Sequence, residues 1–402
     1  MNCRLNDVCE LIVDCPHSTE PDEGEGYPII RTPNIGVGYL DLEGVQRVSK
    51  AAFDRRNARA VPRPNDLILA REAPAGNVGI IREGMEVCLG QRTVLIRPNT
   101  EKVSPLFLNY YLNAPKQRHA LLSNSNGATV SHVNMPIIRN LVIELPDREV
   151  QERIAAVLSA YDELIEDNRR QIKLLEEAAQ RLYKEWFIDL KFPGHEITPV
   201  QDGLPEGWHT GSLLDLADVV RGCSYSSDEI VAGEECLINL GNLVPFGGFR
   251  FGHAKSFSGN FRDDQRVQKG DIIVGLTEQA TGLAGYAALL PTVPDNCVIS
   301  ADLLKLVPHK GVPAIFVYAV LRFGRLSELI SPLANGTKIK HLRPESLPRA
   351  TVLLPSKRLA TSYAEVVAPY YDQISIHNQQ IAAAREARDR LLPKLMTGGV
   401  KE

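Results

Sequence analysis

The chain has 402 residues, of which 44% are hydrophobic, and a formal net charge of −4. This length and apolar content are enough for two globular domains and argue against a disordered chain. We find no apolar stretch of the ~18 residues that a membrane-spanning helix needs and no signal peptide at the N-terminus, so we expect a cytoplasmic protein with no membrane partner. The small negative charge argues against a uniformly basic coat for nucleic acid, but it does not exclude local basic patches.

The seven cysteines are scattered and form no Cys-x-x-Cys pair, so no disulfide framework is predicted. Cys3, Cys9, Cys15 and His17 are the cluster that would suggest a metal site. Their spacing fits no usual zinc pattern, and we interpret them as core residues. The sequence therefore predicts no bound metal.

Residues 1–145 predict a mixed globular domain. A short apolar run at 67–69 follows an Asn-Asp turn dipeptide, which is typical of a β-strand. A glycine-rich turn at 76–79, an apolar helical stretch at 105–122 and a final strand at 141–145 come next. Because these elements do not alternate regularly as βαβ units, we predict the α+β class.

Basic residues lie before and after the first of these strands and predict contact with DNA. Lysine and arginine neutralise phosphates, and arginine also binds base edges in the major groove. From the sequence alone, a solvated loop of mixed charge explains the same pattern equally well. The candidates in this domain are Lys50, Arg55, Arg56, Arg59, Arg63, Arg71 and Arg92.

A long helix is predicted over 146–190, followed by a linker rich in proline and glycine at 191–211. Apolar positions recur in steps of four and three, as in a helix that packs along a partner helix. An additional step of four after Tyr161 breaks the alternation, and such a stutter locally unwinds a supercoil. The predicted pairing positions are Val150, Ile154, Val157, Tyr161, Ile165, Asn168, Ile172, Leu175 and Leu182.

Asn168 is the polar exception in this apolar series. A buried asparagine can fix the register of paired helices at a cost in stability. The stutter can equally turn the side chain to the surface, so both interpretations stay open.

The second half of the chain repeats the first, including the stutter. Residues 359–395 follow the same steps as 150–186, each 209 positions later. In the globular part, 212–226 matches 4–18, 269–286 matches 64–81 and 335–355 matches 126–146. The predicted pairing positions of the second helix are Tyr363, Val366, Tyr370, Ile374, Ile381 and Leu391. The candidate DNA contacts of the second domain are Arg250, Lys255, Arg262, Arg266, Lys269, Lys338 and Lys340.

We therefore predict two repeated globular domains, at 1–145 and 212–355, each followed by a long helix, with the second helix and a tail at 356–402. The two helices pair with each other, parallel or antiparallel. Segments 19–60 and 227–265 share little beyond their basic character. A repeated scaffold with different loops suits two domains that recognise two different sequences.

Catalytic motifs are absent from the sequence. It contains no Walker A loop, no H-E-x-x-H and no G-x-S-x-G, and Gly36 and Gly38 lack the third glycine of a dinucleotide site. The Asn-Pro-Pro-Tyr or Asp-Pro-Pro-Tyr tetrapeptide of adenine methyltransferases is also missing. His132 and His341 occupy repeat-equivalent positions, which favours a shared role in the fold. We expect a chain that is not an enzyme.

The order domain, helix, domain, helix resembles the specificity subunits of type I restriction–modification systems, and the resemblance covers the whole chain. LPDREVQERIAAVLSAYDELIEDNRRQIKLLEEAAQRLYKEWF at 145–187 looks like the central helix of that family. LPEGWHTGSLLDLADVVRG at 204–222 looks like the entry to its second recognition domain.

The resemblance implies two target-recognition domains, each recognising one half of a bipartite, asymmetric site on double-stranded DNA. It also implies that the long helices form an antiparallel coiled coil with pseudo-twofold symmetry, set the spacing of the half-sites and dock two methyltransferase subunits. S-adenosylmethionine would then bind those partners, and ATP and magnesium would bind a motor-nuclease subunit where one exists. No cofactor is expected on this chain.

Two alternatives stay open. The recognition subunit of a methylation system without a nuclease would have the same sequence features. A coiled-coil scaffold whose globular domains bind protein belongs to a different class, and salt distinguishes it, because DNA binding weakens steeply as salt rises.

Overall fold

The computed structural model describes residues 2–123, 132–336 and 338–397. The chain divides into two compact units, one formed by 1–167 with 380–402 and the other by 168–379. Each unit thus combines one globular domain with segments of both long helices. Residues 126–131 of the predicted repeat and the end of the predicted tail, 398–402, lie outside the described residues.

A four-stranded antiparallel sheet, in the order β2-β8-β5-β6, is the centre of the first unit. A second sheet pairs β3 antiparallel with β4 and parallel with β7. β1 pairs with β9, which joins the start of the chain to the strand that precedes the long helix. The strands are β1 (Asn2–Arg4), β2 (Cys9–Asp14), β3 (Tyr27–Ile30), β4 (Arg47–Val48), β5 (Leu67–Ala70), β6 (Val78–Ile80), β7 (Cys88–Leu89), β8 (Thr93–Pro98) and β9 (Val142–Glu144).

Helices cover the four-stranded sheet and lead out of the domain. Ser104 caps the second of them, because its hydroxyl accepts a hydrogen bond from the Phe107 amide at 3.4 Å, and Pro105 occupies the first turn. Phe107 and Leu108 of this helix pack in the core with Leu67 and Val94 of the sheet. The helices are α1 (Lys50–Arg56), α2 (Pro105–Asn113), α3 (Pro115–Ser123), α4 (Met135–Arg139) and α5 (Arg148–Tyr183), which continues into a π-helical turn, Lys184–Ile188.

The second unit has the same arrangement. Its four-stranded antiparallel sheet has the order β13-β20-β16-β18, β14 pairs antiparallel with β15 and parallel with β19, and β12 pairs with β22. The strands are β10 (Val200–Gln201), β11 (Leu204–Pro205), β12 (His209–Ser212), β13 (Ala217–Arg221), β14 (Glu235–Ile238), β15 (Lys255–Phe257), β16 (Ile272–Gly275), β17 (Thr277–Glu278), β18 (Ala287–Leu289), β19 (Cys297–Ile299), β20 (Leu303–Pro308), β21 (Lys340–His341) and β22 (Thr351–Leu354). The helices are α6 (Ala314–Arg322), α7 (Leu326–Ile330) and α8 (Lys357–Met396).

The predicted linker at 191–211 is partly structured. It contains the β10–β11 hairpin, and Phe192 and Trp208 are buried in the core of the second unit. In that core the rings of Phe187 and Trp208 lie 6.0 Å apart. Both ends of this segment are therefore held by aromatic packing.

The prediction of the apolar face of the long helices is wrong at one pair of equivalent positions. Val157 and its repeat equivalent Val366 are 43% and 44% exposed, whereas Leu158 and Val367 beside them are fully buried. Leu158 lies in the core of the first unit and Val367 in the core of the second. The early turns of each helix pack on a globular core, which needs a wider apolar stripe than a pair of helices does.

The polar residue of the predicted pairing face is buried. Asn168 is 4% exposed, and its Oδ1 lies 2.5 Å from Nδ1 of His377, the repeat-equivalent residue on α8. Of the two interpretations of Asn168, the surface position is therefore wrong. In the same unit the Tyr363 hydroxyl donates a hydrogen bond to the carbonyl of Ala179 at 3.0 Å.

Candidate nucleic-acid interface

Most of the basic side chains predicted to contact DNA are at the surface. Exposed candidates in the first unit are Lys50, Arg55, Arg59, Arg63 and Arg92. Exposed candidates in the second unit are Arg250, Lys255, Arg262, Lys269, Lys338 and Lys340, and Arg266 is half-buried. Their contact with DNA stays a prediction.

Arg56 is a correction to the predicted interface, because it is 2% exposed. Its guanidinium donates hydrogen bonds to the carbonyls of Leu89 at 2.5 Å, Ser18 at 3.0 Å and Pro16 at 3.1 Å. The side chain thus fastens the 16–18 segment to β7. A guanidinium enclosed in this way is a structural group and not a contact to DNA.

Arg71 is the second correction. It is 6% exposed, and its Nη1 donates to both carboxylate oxygens of Asp14, at 2.8 and 2.7 Å. Its Nε donates to the Val133 carbonyl at 2.8 Å, and its Nη2 lies 2.7 Å from Nε2 of His132. Arg71 therefore organises its neighbours without reaching the surface.

His132 connects Arg71 to a carboxylate. Because a guanidinium can only donate, Nε2 of His132 accepts the hydrogen bond from Arg71, and the ring proton is on Nδ1. Nδ1 then donates to Oε1 of Glu72 at 2.5 Å. The other oxygen of Glu72 lies 2.9 Å from Nε of Arg92, whose side chain is 60% exposed. The network thus runs from a buried arginine to an exposed one.

The order of the sheet explains why these residues meet. β2 ends at Asp14, β5 ends just before Arg71, and β8 begins just after Arg92. Since β8 is antiparallel to both neighbours, these three ends lie at one edge, with Ala70 opposite Thr93 in the register. We call this group the first strand-end cluster, and its members are Asp14, His17, Arg71, Glu72, Arg92 and His132.

The second unit has a group at the corresponding edge. β16 ends at Gly275 opposite Leu303, the first residue of β20. The Thr277 hydroxyl donates to Oδ1 of Asp302 at 2.8 Å and lies 3.3 Å from Nδ1 of His341. We call this group the second strand-end cluster, and its members are Tyr225, Thr277, Asp302, Lys340 and His341.

Tyr225 follows the end of β13 and lies close enough to Asp302 for the carboxylate to affect its phenol. Burial raises the pKa of the Tyr225 phenol, and the nearby Asp302 carboxylate raises it further. The phenol therefore stays protonated and keeps its O–H as a donor. Lys340 and His341 are both exposed.

Sequence reasoning missed several members of these clusters, among them Asp14, Glu72, Thr277 and Asp302. The available signal was the repeat, since Glu72 and Thr277 occupy matching positions in the aligned segments. His132 and His341 each contact the residue at that position. This agrees with the shared role in the fold expected for the two histidines.

Three of the other basic candidates already have carboxylate partners on the protein. Lys269 pairs with Asp372 at 2.7 Å, and Arg262 pairs with Asp264 at 3.0 Å. Arg266 pairs with Glu235 at 2.7 Å. Ion pairs at the surface contribute little to stability, so a phosphate can replace the carboxylate partners of Lys269 and Arg262 at little cost.

Within the described ranges, no group of three or more His, Cys, Asp or Glu side chains is placed to hold a metal ion. The helices of that same part of the chain all lack the long apolar run that crossing a membrane requires.

Comparison with known proteins finds one family model and several relatives of similar length. Residues 1–177 match the family model described as the type I restriction modification DNA specificity domain. The chain is 25% identical to the type I restriction enzyme MjaIX specificity subunit of Methanocaldococcus jannaschii, over 99% of this chain and 93% of that protein. It is 24% identical to the MjaVIII specificity subunit of the same organism, over 99% and 92% of the two chains.

A solved structure has the same fold. The type I restriction–modification S subunit from M. genitalium aligns with a TM-score of 0.55 at 14% identity, covering 98% of this chain and 95% of that chain. The family model over residues 1–177 and the whole-chain matches agree, and both show that this chain is similar to type I restriction–modification specificity subunits.

Proposed function

We propose that this chain is the non-catalytic DNA-recognition subunit of a type I restriction–modification complex, with target-recognition domains at 1–145 and 212–355. The observation that carries the proposal is that one sheet arrangement occurs twice, in β2-β8-β5-β6 and in β13-β20-β16-β18, with different side chains at the matching strand ends. A constant scaffold with different contact residues suits the recognition of two different half-sites. The DNA site is then bipartite and asymmetric.

The long helices hold the domains as an antiparallel pair with pseudo-twofold symmetry. Contacts in the second unit support the direction, because Tyr363 near the start of α8 bonds Ala179 near the end of α5, whereas His377, further along α8, bonds the earlier Asn168. Equivalent residues of two antiparallel copies meet only near a twofold axis, as Asn168 and His377 do.

Helix length sets the distance between half-sites. α5 has 36 residues, which correspond to ~54 Å at ~1.5 Å per residue. This exceeds one DNA turn of ~34–36 Å, so the helices can place two domains on successive major grooves. Their exposed faces then serve as docking surfaces for two methyltransferase subunits.

The partners carry the chemistry. The methyltransferase subunits supply S-adenosylmethionine and flip an adenine out of the duplex for N6 methylation. A motor-nuclease subunit, in a system that has one, adds cleavage that depends on ATP and magnesium. This chain itself binds no cofactor and positions the complex on DNA.

The test is a map of N6-methyladenine in host DNA, by single-molecule sequencing, with the gene intact and deleted. We expect one split motif, two short half-sites around a fixed gap, to lose methylation on deletion. Reintroducing the gene restores the motif. If no motif changes while the chain and its methyltransferase partner are both expressed, the proposed function is wrong.

A further inference from the structure

We propose that the two strand-end clusters contact the DNA bases and determine the two half-sites, the first cluster through Arg92 and the second through Lys340 and His341. This inference rests on the proposed function and deepens it, because it says where in each domain the sequence is recognised. It also separates base contacts from the other basic residues, which contact phosphates.

The clusters occupy the same place in the two units because the backbone around them is the same. The Val133 amide donates to the carbonyl of Arg71 at 3.0 Å, and the Leu342 amide donates to the carbonyl of Leu276 at 2.7 Å. Val133 and Leu342 directly follow His132 and His341 in the sequence. The two units therefore share one backbone arrangement, which we call the frame, and it places the side chains at these positions in the same way in each unit.

The side chains on this frame differ in chemistry. Glu72 and Arg92 form an ion pair in the first cluster. In the second, Thr277 at the position that matches Glu72 donates to Asp302. One cluster thus presents a guanidinium, and the other presents an ammonium and an imidazole. Different donors on one frame are what two domains need to recognise different bases.

Neighbouring side chains orient the Arg92 guanidinium, but they leave it able to exchange its partner. Glu72 fixes its Nε at 2.9 Å, and the carboxylate is itself fixed by His132, which Arg71 holds. Because the Arg92 side chain is 60% exposed, the ion pair contributes little stability and the guanidinium can exchange it for another partner. A guanine edge offers two acceptors in the geometry that a guanidinium binds. Arg71 and His132 act as positioning residues.

The Arg92 backbone supports this function. Its φ angle is +64°, in the left-handed region that few residues other than glycine adopt. The Arg92 carbonyl accepts a hydrogen bond from the Arg71 amide at 2.8 Å, which holds the turn in place. A long side chain kept in this conformation by its neighbours is typical of a functional site.

The test uses the full chain, expressed with its methyltransferase partner in a host without adenine methylation, followed by a methylation map. Arg92→Ala should relax one position of one half-site, with discrimination there falling about 5- to 150-fold, and leave the other half-site unchanged. His341→Ala should relax only the opposite half-site. Arg92→Lys keeps the charge but not the paired donors, so it should relax the same position as Arg92→Ala.

Lys102 and Lys310 provide the controls. Both are exposed, and each follows the far end of the central strand, β8 or β20, away from the cluster. Lys102→Ala and Lys310→Ala should leave both half-sites as they are. Melting temperatures of the Arg92 variants, expected within ~2 °C of the unmodified chain, separate a lost contact from a lost fold.

Each outcome has a definite meaning. If the unmodified chain directs methylation to a split motif and the Arg92 and His341 variants retain both half-sites unaltered, the inference is overturned and the proposed function stands. If the unmodified chain directs no split motif, the proposed function fails and the inference fails with it.

Discussion

Arg55 and Arg56 are adjacent in the sequence and have opposite surroundings. The Arg55 side chain is 63% exposed and pairs with Glu20 at 3.0 Å on the surface. The Arg56 side chain is 1% exposed and donates to three backbone carbonyls. A buried carbonyl that loses its donor has no water to replace it. Removing Arg56 should therefore lower the free energy of unfolding more than removing Arg55 does.

Arg56→Ala should lower the free energy of unfolding by about 3 kcal/mol, since it leaves buried carbonyls and a cavity where the guanidinium was. Arg55→Ala, its matched control, should change the free energy of unfolding by less than ~0.5 kcal/mol. Urea unfolding of the purified chain, followed by circular dichroism, measures both. Equal effects for the two variants would show that Arg56 does not hold the 16–18 segment in solution.

The type of residue could be predicted at this scale, but its environment could not. The sequence identifies Arg56 and Arg71 as basic residues near a strand. Their burial depends on Pro16, Ser18 and Asp14, which are distant in the sequence and approach only when β2, β5 and β7 take their places. Single-sequence patterns contain no information on such pairs, so the buried arginines were indistinguishable from the exposed ones.

Elements were more predictable where a periodic pattern was long. The two long helices and the strands β5 and β16 occur where the sequence predicts them, and the helical stretch predicted at 105–122 is divided between α2 and α3. Segments 19–60 and 227–265 matched poorly in sequence, yet β3 and β14 have the same pairings in the two units. Strand pairing uses backbone groups and tolerates side-chain divergence, so sequence comparison underestimates the repeat.

His377→Leu should lower the free energy of unfolding by about 1–3 kcal/mol, because it removes the donor to a buried amide oxygen of Asn168. Replacing both residues, Asn168→Leu with His377→Leu, should recover most of that loss, since two apolar side chains leave no buried polar group. A double-mutant cycle by urea unfolding gives the coupling, expected at about 1 kcal/mol or more. Strictly additive effects would mean that this pair does not stabilise the helix register.

The whole molecule combines a net charge of −4 with basic side chains near the strand-end clusters. Arg59 lies beside the first cluster, where its Nη1 donates to the Asp14 carbonyl at 3.3 Å. The exposed Lys338 is two residues from Lys340 in the second. Acidic residues of α5, such as Glu163 and Asp167, are also exposed. Positive charge near the proposed base-contacting groups of an acidic protein would favour DNA there and disfavour it elsewhere.

Double-stranded DNA containing the split site should bind the complete complex with a strong dependence on salt. The logarithm of the binding constant should fall linearly with the logarithm of salt concentration, by about 0.9 per phosphate contacted. We expect Arg59 and Lys338 each to contact one phosphate, so replacing both by alanine should make the slope shallower by about 2. The Lys102→Ala/Lys310→Ala double variant should keep the original slope, because these lysines lie at the opposite edges of the sheets. Fluorescence anisotropy between 50 and 200 mM salt measures all three complexes, in the range where such contacts change affinity most. Binding that is insensitive to salt would instead support a scaffold whose domains bind protein through apolar faces.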